Sequence, residues 1–160
     1  MLEKFDTYIF DLDRTVWDTY DITDRSIWAK QLIPPYTLVD DNKIVDDVGS
    51  YCVLKNGIRE FIISLNNKNK KLGFLSIGAL YDAPEKYQPS LNLLKLFELY
   101  QFFNYEKVLA YKTESKKEYL DELKPCVFFD DDEKHLKMAS SIKDVLEIDS
   151  KQIADWNNLI

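Results

Sequence analysis

Short apolar runs rich in β-branched and aromatic residues alternate along this chain with segments of helical period. That alternation constrains the fold more than any other feature, because it is what a parallel sheet with crossover helices requires. Five runs have this character: Thr7 to Phe10, Leu72 to Ser76, Lys107 to Tyr111, Cys126 to Phe129 and Val145 to Ile148. All are short and mostly apolar, as strands buried on both faces should be. Between them Ile58, Phe61, Ile62 and Leu65 recur at i, i+3, i+4 and i+7, and Leu93, Leu96, Phe97 and Tyr100 repeat the spacing. Each segment is therefore expected to be an amphipathic helix with its apolar stripe on the core. Ser115-Lys116-Lys117-Glu118 fits a capping box, which starts a further helix at Lys116. Near the end, Ile153, Trp156 and Ile160 share a helical face that can dock the C-terminus onto the sheet. The expected class is α/β.

One segment breaks the repeat. Trp17 to Lys55 separates the first strand from the first helix, where about 2 to 6 residues would normally suffice. Within it, Tyr36 to Val39 and Lys43 to Val45 flank Asp40-Asp41-Asn42, which predicts a short β-hairpin forming a flap over the sheet edge. Asn66 to Lys71 reads as a polar helix exit and solvated turn. The 160 residues, 46% apolar and 14% aromatic, suit a single domain over residues 1–160 with one sizeable core. A formal charge of -7 opposes non-specific binding to nucleic acid or an anionic membrane. No stretch reaches the roughly 20 apolar residues of a membrane span, and the N-terminus lacks a signal pattern, so a soluble, cytoplasmic protein is expected. Cys52 and Cys126 lie among apolar neighbours and read as small buried hydrophobes.

The chemistry concentrates at the ends of the strands. In Tyr8-Ile9-Phe10-Asp11-Leu12-Asp13-Arg14-Thr15-Val16-Trp17, two carboxylates stand two residues apart where an apolar strand ends, so Asp11 and Asp13 can converge on one side. Like charges that close raise each other's pKa unless a cation intervenes. A divalent metal would keep Asp11 ionised while Asp13 holds or donates a proton. Asp130-Asp131-Asp132-Glu133 follow a second apolar strand, where four acids in succession repel one another. Mg²⁺, which prefers carboxylate, carbonyl and water oxygens, is the natural compensator. Ser76 ends a strand, with Gly78 close behind, and its hydroxyl can donate to a phosphate oxygen. Lys116 places an ammonium at a helix start that already favours anions. All four features fall beside strand ends, at the edge where open α/β sheets bind ligands.

The strings DLDRTVWD and FFDDDE resemble the first and fourth motifs of the haloacid dehalogenase (HAD) superfamily of phosphotransferases, the first having the form DxDxT. The Trp17 after Thr15-Val16, the absence of a separate cap domain and the FFDD form are similar to the magnesium-dependent phosphatase family within it. The resemblance runs from Tyr8 to about Ala139. It implies a Rossmann-like three-layer sandwich with a central parallel sheet. It also implies that Asp11 is the nucleophile, Asp13 the general acid and base, Ser76 a phosphate donor, Lys116 a charge clamp and Asp130 a metal ligand. Thr15 joins Ser76 and Lys116 as substrate-binding residues, and the metal, Mg²⁺, is held by Asp11, Asp130 and the backbone carbonyl of Asp13. Lys112 and Lys117 compete with Lys116, and Asp131 with Asp130. His135 stands where such relatives often have Asn and reads as a polar surface residue or one behind the ligands; Trp17 reads as a loop-packing residue. The implied activity is hydrolysis of phosphate monoesters through an aspartyl-phosphate, with an open cleft that admits a phosphorylated small molecule or phosphoprotein, phosphotyrosine and phosphosugars being suggested. The alternatives are a phosphorylatable receiver domain and a catalytically silent member that binds phospho-ligands. A receiver has its lysine after the acidic pair and the phosphorylated aspartate, an order this chain reverses. An EF-hand reading of Asp11-Asp13-Thr15 fails because Val16 stands where Gly is required.

Overall fold

A computed structural model describes residues 2–20, 22, 32, 34–78, 89–110 and 115–160. The elements in chain order are β1 (Thr7–Phe10), β2 (Trp17–Tyr20), β3 (Thr37–Asp40), β4 (Lys43–Val45), β5 (Tyr51–Leu54), α1 (Ile58–Asn67), β6 (Lys71–Gly78), α2 (Pro89–Leu96), β7 (Tyr105–Ala110), α3 (Lys116–Leu123), β8 (Cys126–Asp130), α4 (Glu133–Ser140) and β9 (Val145–Asp149). The five strands expected from the sequence form one sheet in the order β7-β6-β1-β8-β9, with every neighbouring pair parallel. Chain order therefore runs outward from β1 in one direction and from β8 in the other.

Alternation along the central strands sorts side chains onto two faces. Tyr8 and Phe10 of β1 and Val127 and Phe129 of β8 join a core with Ile58, Phe61, Ile62 and Leu65 of α1 and Leu91, Leu93 and Leu94 of α2. Ile9, Cys126 and Phe128 face the other way and pack with Leu120 of α3 and Ala139 of α4. Helices thus cover both faces, which is why the strands carry so few polar side chains. Gly73 in β6 has a packing reason, since a Cβ there would lie 2.9 Å from Ile9 on β1 and 3.1 Å from Tyr105 on β7.

The insertion is larger than a hairpin. β3 and β4 do pair antiparallel as expected, but β2 and β5 extend them into a four-stranded antiparallel sheet, β2-β5-β4-β3. Its inner side chains Trp17, Ile44, Cys52 and Leu54 belong to the same core as β1, α1 and α2. The C-terminal helix expected over Ile153, Trp156 and Ile160 is absent. Two short 3₁₀ turns, Ser150–Gln152 and Trp156–Leu159, stand there instead, and only Trp156 is fully buried while Ile160 is exposed. Asp149 and Asp155 each accept a backbone N–H two residues on, which starts each turn separately and prevents one continuous helix. The second helix closes at Leu96, so Phe97 and Tyr100 lie beyond it, turned off by Glu98 at φ 57°. Both cysteines are buried and unpaired. No helix among the described residues is long and apolar enough to cross a membrane.

Candidate functional site

The site is built where β1 and β8 lie side by side. Chain connections leave this pair in opposite directions, so its carboxyl ends mark the topological switch point, the usual ligand position in an open α/β sheet. Asp11 directly follows β1 and Asp130 closes β8, and the Asp11 N–H donates to the Phe129 carbonyl at 2.8 Å. Two acids 119 positions apart in sequence therefore meet on adjacent strands.

Lys116 joins them. Ser115 caps α3, its Oγ accepting from the Lys117 N–H at 3.2 Å, and this sets Lys116 as the first helical residue. Its side chain is buried, and Nζ donates to Asp11 Oδ1 at 2.6 Å and to Asp130 Oδ2 at 2.7 Å. Burial would lower the lysine pKa, but attraction to the two carboxylates outweighs it and the group lies above its ordinary value. Of the competing lysines, Lys117 is exposed, and Lys112 lies outside the described residues.

The two carboxyls are pushed in opposite directions. Burial drives Asp11 well above the usual carboxylate range, with Lys116 pulling against it and Asp130 and Asp13 adding to the rise. Burial also acts upward on Asp130, but the His135 hydrogen bond, the Lys116 charge and hydrogen bond, and the Asp132 amide outweigh it and hold this carboxyl below its usual value. His135 Nδ1 lies 3.0 Å from Asp130 Oδ2, and the Asp132 N–H donates to Asp130 Oδ1 at 2.8 Å. Asp130 is thus the firmly ionised member, and Asp11 the one that a further cation would keep charged.

Asp131 completes the acidic set. Asp11, Asp130 and Asp131 each offer one carboxylate oxygen, all within 4.8 Å of one another, and all three residues are buried. Such a set of hard oxygen donors can hold a metal ion. Asp131 therefore does not compete with Asp130 but stands beside it. Its carboxyl is raised by burial against the pull of Arg14, whose Nε lies 3.4 Å from Oδ2. Three buried carboxyl groups are here faced by two cations, Lys116 and Arg14.

The remaining expected residues divide. The Asp13 side chain does not belong to the converging acids; it reaches solvent, and its Oδ1 accepts from Trp17 Nε1 at 2.9 Å. Protein crowded around the carboxyl raises its pKa, while the Trp17 hydrogen bond and Lys116 lower it. Trp17 is accordingly a buried packing residue that also holds Asp13. Ser76 is buried near the end of β6, two residues beyond Phe74, the register partner of Phe10, and so lies at the same sheet edge. Thr15, expected to bind substrate, is wholly buried, and its hydroxyl pairs with Ser150 Oγ at 3.0 Å, which ties the loop after β1 to the segment after β9.

The run Asp130 to Glu133 is compensated differently from expectation. Asp132 is the N-cap of α4, its Oδ1 accepting from the Lys134 N–H at 2.8 Å, and Glu133 lies in the first helical turn. Both are stabilised by the helix N-terminus, so only Asp130 and Asp131 need a cation. Sequence reasoning assigned no role to Arg14, although it sits inside the first motif. It takes φ 65°, and this left-handed backbone reverses the chain after Asp13. No protein-family model matches the chain, and no curated protein matches it either.

Proposed function

We propose that the protein is a magnesium-dependent phosphatase of the haloacid dehalogenase type, acting in the cytoplasm on phosphate monoesters such as phosphotyrosine or sugar phosphates. The observation that carries this reading is the buried Lys116 ammonium bridging Asp11 and Asp130 at 2.6 and 2.7 Å, with Asp131 alongside. A lysine so placed keeps one carboxylate available as a nucleophile and presents positive charge where a phosphoryl group would bring more negative charge.

In this mechanism an Asp11 carboxylate oxygen attacks phosphorus in line. The new bond is an aspartyl-phosphate; the bond from phosphorus to the ester oxygen breaks, and Asp13 gives that oxygen its proton. Asp13, now ionised, takes a proton from water, which attacks phosphorus and releases Asp11 and inorganic phosphate. A carboxyl with a raised pKa, exposed to solvent and held by Trp17, suits Asp13 to this exchange. Ser76 and Lys116 stabilise the phosphoryl oxygens. The donor set fits Mg²⁺: Asp11, Asp130 and Asp131 supply three converging hard oxygens, and a divalent ion would favour the ionised form of Asp11 and Asp131, whose carboxyls burial raises. The ion would add positive charge against the phosphoryl oxygens.

The test is hydrolysis of p-nitrophenyl phosphate. Activity should require Mg²⁺, stop with EDTA and return when Mg²⁺ is restored, and Asp11→Asn should abolish turnover with an unchanged circular dichroism spectrum. Near-normal turnover by the folded Asp11→Asn variant would remove the nucleophile assignment.

A further inference from the structure

Arg59 lies in the first turn of α1, far along the chain from Asp11 and Asp13 and in none of the hydrogen bonds described above. Its Nη1 donates to the Phe97 carbonyl at 2.7 Å, and its Nη2 donates to the Asp41 carbonyl in the turn between β3 and β4. Nε is buried and has no hydrogen-bond partner among the described residues. The guanidinium is thus held by the two carbonyls at the cost of one unmet donor, which marks the fork geometry as the constraint that sets its place. Phe97, just beyond α2, is buried, and its ring lies 6.3 Å from the Trp17 ring at 31°. Trp17 is wholly buried, and its Nε1 donates to Asp13 Oδ1 at 2.9 Å.

We infer that Arg59 is a positioning residue for Asp13, acting through Phe97 and Trp17. The guanidinium fixes the Phe97 backbone, the Phe97 ring fixes the tilt of the indole, and the indole aims the carboxylate. The same guanidinium pins the hairpin turn at Asp41, so the antiparallel sheet that contains Trp17 is held at two points. The kinetic part rests on the phosphatase reading; the structural part does not.

The test follows the Trp17 indole N–H by ¹H–¹⁵N correlation. The chain has three tryptophans, and Trp17→Phe identifies the signal. In Arg59→Ala the Trp17 signal should shift and exchange with solvent about tenfold faster, while kcat for p-nitrophenyl phosphate falls roughly 10- to 100-fold with KM held within about twofold. Arg59→Lys cannot span both carbonyls and should move the signal in the same direction. An unmoved indole signal in folded Arg59→Ala overturns the inference, as does a lower melting temperature with unchanged kcat. Should Arg59→Ala fail to fold, Phe97→Leu cuts the ring contact alone and carries the same two expectations. A wild-type protein without phosphatase activity would sink the functional reading and leave the indole measurement to decide this one.

Discussion

One ammonium between two buried carboxylates sets the electrostatics of the site, and its removal leaves like charges facing each other out of water. In Lys116→Met both carboxyl pKa values would climb, that of Asp11 further above the unfolded value near 3.9 and that of Asp130 upward from below it. A group raised in the folded state contributes stability that is present below the unfolded pKa and lost as pH rises through the folded one. The variant should therefore lose about 3–5 kcal/mol at neutral pH and recover most of it near pH 4, read from urea melts at the two pH values. An equal deficit at both would show that Lys116 acts by packing and not by charge. The thiols follow the same sign. Burial pushes Cys126 up to about 11 and Cys52 well above its ordinary value, the latter with Asp13 and Asp18 adding to the rise and Thr19 opposing it. The native protein should leave both unmodified by Ellman's reagent at pH 8 and expose two thiols on denaturation; stability should decline as pH rises from the unfolded thiol value near 8.5. Asp11 and Asp130 were legible in the sequence because each follows an apolar run, and Lys116 because Ser115 and Glu118 mark a helix start there. Arg14 and the Trp17–Asp13 hydrogen bond were not, because both depend on one left-handed residue inside a loop that carries no periodicity.

Among the elements, α1 has the most demanding start. Gly57 precedes it at φ 74°, and a Cβ there would lie 2.5 Å from Asp155 Oδ1 and 2.6 Å from the Asn157 N. The C-terminal turn nests against this bare backbone, and the Trp156 N–H donates to the Asn56 carbonyl at 2.9 Å. Gly57→Ala should cost about 2 kcal/mol or more, combining a left-handed backbone with a collision, and a melt within about 0.5 kcal/mol of wild type would show that the C-terminal turn yields freely. The parallel strands and α1 could be read because their apolar runs are local signals. β2 and β5 could not, since each has four residues, their outward side chains are half exposed, and Trp17 pairs with Leu54 across a long insertion. α4 was hidden for another reason. Its cap and first turn are acidic and only Ala139 is fully buried, so a helix start looked like a loop of repelling charges.

At the scale of the molecule, the sheet order brings Phe10 and Phe129, each the residue before a site aspartate, into a stack with centroids 5.0 Å apart at 18°. Trp156 closes this stack from the far end of the chain, 5.0 Å from Phe129, 5.4 Å from Phe61 and 6.0 Å from Phe10. The aspartates thus stand on a shared aromatic floor, and a cavity in it would be felt at the site because close-packed interiors transmit strain. Trp156→Ala should cost about 3–5 kcal/mol in urea melts. On the proposed phosphatase function it should also lower turnover of p-nitrophenyl phosphate under conditions where the variant is still folded. Trp156→Phe keeps an aromatic ring in the floor and removes the rest of the indole. The indole Nε1 is buried with no partner among the described residues, so phenylalanine loses ring area but also removes an unmet donor whose burial costs about 1–3 kcal/mol. The two effects oppose, and the net loss should stay under about 1.5 kcal/mol with turnover near wild type. Equal losses for Phe and Ala would mean that the full indole ring system, which phenylalanine does not fill, is what the fold requires of this position.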